Sequence, residues 1–178
     1  MKNQKVTMKK TSYVMLLMLA LSAGFAVQSS WAKSAVNPAL LSDFSLPDTE
    51  GKLQAVSQWR GKVLVINFWA TWCSPCLKEI PAFIKLQESY QQRGVQFVGI
   101  AIDESDAVKD YLKTIPNNYP HLIAGDSGIN LSRELGNTAN AVPYTLVVDQ
   151  SGKIVFQQAG ELSSEKLLTI LNPLLVGR

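Results

Sequence analysis

The 178-residue sequence is poor in cysteine, with two, and in histidine, with one; its charged residues make up 17%. Two cysteines cannot staple a disulfide-rich scaffold, and a lone histidine beside them is a poor start on a metal site. Four of the 17 basic residues (Lys2, Lys5, Lys9 and Lys10) lie in residues 1–32, which hold no acid, so the net charge of +3 is local. The remainder is close to neutral and carries no electrostatic footprint for nucleic acid or an anionic surface. There are no internal repeats and no low-complexity tract. The 11 Gly and 8 Pro exclude a collagen-like chain. At 47% hydrophobic, the sequence has ample apolar material for one core.

The longest apolar run, Tyr13 to Val27, has 15 residues, short of the ~20 that a spanning helix needs. Lys9-Lys10 precedes it and Ser30-Trp31-Ala32 follows. This is the order of a secretory signal peptide over residues 1–32, with cleavage after Ala32; an uncleaved N-terminal membrane anchor is the second reading. Leu21-Ser22-Ala23-Gly24 has the outline of a lipoprotein signal, but Phe25 stands where the lipidated Cys belongs. Export implies a periplasmic or otherwise extracytoplasmic location, where thiols are oxidised unless kept reduced.

Residues 33–42 lack periodicity and read as a linker to a domain over 43–178. Phe44, Leu46, Leu53 and Val56 flank the turn-rich Pro47–Lys52, which predicts a short hairpin. Val63 to Trp69 is nearly continuous apolar sequence and suits a strand buried on both faces. A helical pattern runs from Cys73 to Arg93 and stops at Gly94; Pro81 inside it predicts a kink. Val95 to Ile102 is a second buried strand, completing a βαβ unit. Further expectations are a helix over 105–114, a short strand over 120–124 and a short helix over 131–135. Strands over 144–148 and 153–157 flank Asp149-Gln150-Ser151-Gly152, and a final helix is capped by Ser163 or Ser164. The sum is one α/β domain with a mixed sheet.

The chemistry concentrates in Trp72-Cys73-Ser74-Pro75-Cys76, where a buried strand turns into a helix. A thiol at a helix N-terminus faces unpaired N–H groups and the positive end of the macrodipole, which favour thiolate. Cys73 is therefore the expected nucleophile, and Cys76 is placed to resolve a mixed disulfide. Pro75 is tolerated in the first turn. An inert bridge or half a zinc site is the bland alternative, but zinc would want two more ligands and the only histidine is the distant His121, read here as loop or core.

The segment Val65-Ile66-Asn67-Phe68-Trp69-Ala70-Thr71-Trp72-Cys73-Ser74-Pro75-Cys76, with Glu79-Ile80-Pro81, resembles the thioredoxin superfamily. It is most similar to the exported TlpA/ResA-like, DsbE/CcmG-related branch of thiol–disulfide oxidoreductases. The likeness runs from about Asp43 to the final helix. It implies a thioredoxin fold, a mixed central β-sheet flanked by helices, with an extra N-terminal β-hairpin. It also implies disulfide reduction in client proteins, often apocytochrome c in cytochrome c maturation, and a membrane thiol reductase of the DsbD/CcdA type as electron source. A monomer is expected. The cysteine pair carries the electrons, so no organic cofactor or metal is implied.

By the same resemblance, Pro143 matches the family's cis-proline, which leaves the backbone of Val142 free to pair with substrate; Tyr144 departs from the usual Thr. Trp72 would shape the substrate surface. Glu79 lies one helical turn after Cys76, on the same face. Spacing alone leaves it either an exposed glutamate or a carboxyl near the pair that exchanges a proton with Cys76. The family favours the second, with Asn67 standing where thioredoxins proper have a buried Asp. Two other functions compete. A peroxiredoxin-type peroxidase would need a Pro-x-x-x-Thr-x-x-Cys setting, from which Thr71 is displaced by one residue and the Pro is missing. A metal-handling module could hold a soft ion on the two thiolates.

Overall fold

The computed structural model describes residues 40–175; the expected leader at 1–32 lies outside them. Seven strands, four α-helices and two 3₁₀ turns follow in the order β1 (Ser45–Pro47), β2 (Leu53–Ala55), β3 (Val63–Trp69), α1 (Ser74–Tyr90), β4 (Val95–Ala101), α2 (Ser105–Leu112), β5 (His121–Ile123), α3 (Ser127–Glu134), β6 (Tyr144–Val148), β7 (Ile154–Ala159) and α4 (Ser164–Leu174), with 3₁₀ turns at Val56–Trp59 and Gln91–Arg93. The main sheet has the strand order β5-β4-β3-β6-β7. It is parallel across β3, β4 and β5 and antiparallel across β3, β6 and β7. β1 and β2 form a separate antiparallel hairpin, tied to the β5 edge by a bridge between Asp48 and Leu122.

Every residue of β3 is buried, because alternate side chains enter two different cores. Val63, Val65 and Trp69 join Ile80, Phe83, Val108, Leu167 and Leu171 from α1, α2 and α4. Leu64, Ile66 and Phe68 face the opposite way, with Val98, Ile100, Leu122 and Leu135, beneath the Val56–Trp59 turn and α3. Asn67 is the polar exception on the first face, and it marks the site.

Most boundaries fall within two or three residues of expectation, and the departures have causes. The helix expected over 131–135 begins four residues earlier, at Ser127. Gly128 obscured it: a Cβ there would come within 2.9 Å of Ala124 and Ile102 side chains, so the close approach demands the residue that reads as a breaker. β7 runs on to Ala159 with alternating burial. α1 continues without interruption through the exposed Pro81. At the end of the expected linker, Leu40 bridges Lys153 and the Leu41 N–H donates to the Gly152 carbonyl at 2.8 Å.

Candidate active site

β3 ends at Trp69, and the chain turns through Thr71 and Trp72 into α1. Asp103, just beyond β4, fixes this turn: its Oδ2 accepts from the Thr71 N–H at 2.9 Å and from Thr71 Oγ1 at 2.5 Å. Hydrogen bonding from Thr71 and Glu104 outweighs partial desolvation and holds the Asp103 carboxyl below the usual range. Sequence reasoning missed Asp103, since no motif links it to a turn 32 residues away.

Cys73 is the N-cap of α1, and its Sγ accepts the Cys76 N–H at 3.3 Å. The sulfur thus takes the place that a Ser or Asp oxygen holds at other helix starts, and a thiolate there would meet an unpaired donor. Cys73 and Cys76 are joined in a disulfide with a Cα separation of 5.3 Å. Both are buried, while Trp72 beside them is 66% exposed. The Val142–Pro143 peptide bond is cis, in agreement with the family pattern. Phe68 pairs with Tyr144, so the cis-proline loop lies at the same end of the sheet as the exit from β3 toward the cysteines.

Glu79 is 3% exposed, which removes the exposed-glutamate alternative. Its Oε1 accepts from Asn67 Nδ2 at 2.7 Å and its Oε2 from the Leu162 N–H at 3.1 Å. Asn67 Nδ2 also donates to Thr145 Oγ1 at 3.0 Å, while Asn67 Oδ1 has no partner. Desolvation dominates, the two hydrogen bonds oppose it, and the Glu161 charge adds to it; together they push the Glu79 pKa from 4.5 up to about 7. Such a carboxyl changes protonation state near neutral pH, one turn of α1 from Cys76.

His121 is core: burial lowers its pKa to about 3, so it stays neutral, stacked on Tyr119 and edge-on to Trp69. Tyr144 turns into the second core, and its hydroxyl donates to the Leu135 carbonyl at 2.9 Å. Thr71 Oγ1 is committed to Asp103, which disfavours the peroxidase arrangement. Among the described residues, no three His, Cys, Asp or Glu side chains group as metal ligands.

A cysteine pair capping the helix after the central strand, on a five-stranded mixed sheet with a cis-proline at the same end, defines a thioredoxin-like thiol–disulfide oxidoreductase. Residues 35–171 match the Redoxin family model. The chain is 30% identical over 158 residues to a Bacillus cereus thiol-disulfide oxidoreductase ResA, covering 86% of this chain and 89% of that one. It is 28% identical to the Bacillus subtilis ResA over 97% and 95% of the two chains. A solved thiol:disulfide interchange protein of the thioredoxin family from Chlorobium tepidum superposes with a TM-score of 0.69 at 32% identity, over 78% of this chain and 97% of that one. The protein belongs to the Redoxin family, as a TlpA/ResA-like member of the thioredoxin superfamily.

Proposed function

We propose that this protein is exported and reduces disulfides in extracytoplasmic client proteins, apocytochrome c being the first candidate. The observation that carries the reading is Cys73 at the helix N-cap, its sulfur already accepting a backbone N–H, in a chain whose relatives are named thiol-disulfide oxidoreductases. In the reduced protein the Cys73 thiolate attacks one sulfur of the client disulfide. A Cys73–client disulfide forms, and the other client sulfur leaves as a thiolate and takes up a proton. Cys76 then gives its proton to ionised Glu79 and attacks Cys73, closing the Cys73–Cys76 disulfide and releasing the second client thiolate. Two electrons pass from the pair to the client, and a membrane thiol reductase of the DsbD/CcdA type restores the dithiol. Trp72 and the Val142–Pro143 loop receive the client, whose backbone pairs with Val142. The protein works as a monomer without metal or organic cofactor.

The test is the reduction potential of the Cys73–Cys76 pair in defined thiol buffers, scored by alkylation. A value near the thioredoxin end, about −270 mV, supports an electron donor; one near the DsbA end, about −120 mV, overturns it in favour of an oxidant. In parallel, Cys76→Ser is expected to accumulate a mixed disulfide with a cystine-containing peptide, and Cys73→Ser to form none. Trapping through Cys76 instead would reverse the assigned roles.

A further inference from the structure

The three residues that carry the cis-proline are unequally committed. Pro143 has no N–H, and its carbonyl accepts from the Gly160 N–H at 2.8 Å. Ala141 is satisfied by one side chain: its N–H donates to Asn137 Oδ1 at 3.1 Å and its carbonyl accepts from Asn137 Nδ2 at 2.8 Å. Between them, Val142 makes no backbone hydrogen bond among the described residues. Asn137 is 2% exposed and every polar atom of its carboxamide is used, since Nδ2 also donates to Ser132 Oγ at 3.3 Å.

The loop is secured at its other points as well. The Asn137 N–H donates to the Ser132 carbonyl at 2.9 Å, and the Asn137 carbonyl accepts from the Asn140 N–H at 3.2 Å. Asn140 takes a left-handed φ of 50°, and its Oδ1 accepts from the Arg133 guanidinium at 3.1 and 3.2 Å. A carboxamide that both donates to and accepts from one residue imitates the edge of a neighbouring strand. It ends backbone pairing at Ala141 and leaves the next residue open.

We propose that Asn137 is a positioning residue for client docking: by holding both backbone groups of Ala141 it fixes the register, so that a client strand pairs at Val142 and nowhere before it. This rests on the client-docking reading above and adds the residue that sets its geometry. Asn137 touches neither cysteine and acts through Ala141 on Val142.

The experiment compares two oxidants of the reduced protein in single turnovers, an extended cystine-containing peptide and hydroxyethyl disulfide, which has no backbone to pair. The ratio of their second-order rate constants cancels the thiolate fraction common to both. Asn137→Ala is expected to lower this ratio about tenfold, chiefly through a weaker half-saturation for the peptide. Asn137→Asp, which keeps the shape and the acceptor but loses the donor while ionised, should show a similar loss at pH 8 and recover as the carboxyl protonates. An unchanged ratio, or equal slowing with both oxidants, would reduce Asn137 to a structural residue and overturn the inference. Hydrogen exchange of the Val142 amide in the Cys76→Ser peptide adduct separates the two levels. Protection there with an unchanged ratio sinks only the role of Asn137; no protection sinks the docking reading, and the role of Asn137 with it.

Discussion

At the scale of single residues the decisive pair is Glu79 and Asn67. A carboxyl buried in an aliphatic and aromatic core resists ionisation, and two donated hydrogen bonds offset only part of that cost. The partnerless Asn67 Oδ1 matters here. Turning the amide over would present an acceptor to a protonated Glu79, so Asn67 can serve both protonation states. The folded pKa of about 7 lies above the ordinary 4.5. Stability is therefore unaffected below pH 4.5, where both folded and unfolded chains are protonated, and declines as pH rises toward 7, by roughly 3 kcal/mol in full. Glu79→Gln should remove this slope, so denaturant unfolding would find the variant more stable than the parent at pH 8 and close to it at pH 4. The same variant should lose the feature near pH 7 in the rate at which Cys76 resolves a transient mixed disulfide at Cys73, followed by rapid mixing and acid quench. An unchanged pH profile would show that Glu79 takes no proton in the reaction.

At the scale of elements, one row of paired residues crosses the sheet beneath α1. His121, Gly99, Asn67, Thr145 and Gln158 lie in register on β5, β4, β3, β6 and β7. The next rows on the same face, Phe97-Val65-Val147-Phe156 and Ile123-Ala101-Trp69, are apolar, so this stripe is where that face admits polar groups below the cysteines. Gly99 belongs to it for lack of a side chain. A Cβ would meet the His121 imidazole and stand 3.0 Å from Trp69 Nε1, both of them buried and walled in. Gly99→Ala is expected to destabilise the protein by about 1–3 kcal/mol, read as a lower denaturant midpoint with unchanged slope. Trp69 fluorescence and the single imidazole resonance should shift along with it. An alanine variant as stable as the parent would mean that His121 moves aside freely. The two hairpin turns show local chemistry winning instead: Asp48 and Asp149 each hold the turn with Oδ1 accepting backbone N–H groups two and four residues on.

At the scale of the whole molecule, the proposed export raises the question of how the thiol is delivered and kept reduced. Among the described residues no helix is long and apolar enough to cross a membrane, and the candidate leader lies before them. Expression of the full chain in a bacterium with a periplasm should yield a mature protein beginning at Lys33, identified by N-terminal sequencing of the periplasmic fraction. A full-length product in the membrane fraction would establish the anchor in its place. Either outcome bears on supply, since an anchored protein stays within reach of a membrane reductase by effective concentration alone.

The sequence by itself determined the elements and the reactive pair. Continuous apolar runs, Gly94, the Asp-x-x-Gly turns and the strand-to-helix placement of Cys73 are local signals, each acting within one or two turns of chain. What it left open were contacts between distant segments. Glu79 could be exposed or buried by spacing; only the loop donor at Leu162, 83 residues away, and Asn67 on β3 decide that it is enclosed. Asp103 carries no motif, because it acts through hydrogen bonds to a turn 32 residues away that only the fold brings alongside; Asn137 pairs with Ala141, four residues on, in a loop geometry that no short motif announces. At Gly128 and Gly99 only the structure shows the neighbouring side chains that occupy the space a Cβ would need. Chain-local physics thus identified the sulfur chemistry, and tertiary packing decided the proton inventory around it and left the Val142 backbone without a hydrogen bond among the described residues. Burial and long-range pairing exist only once the sheet has closed.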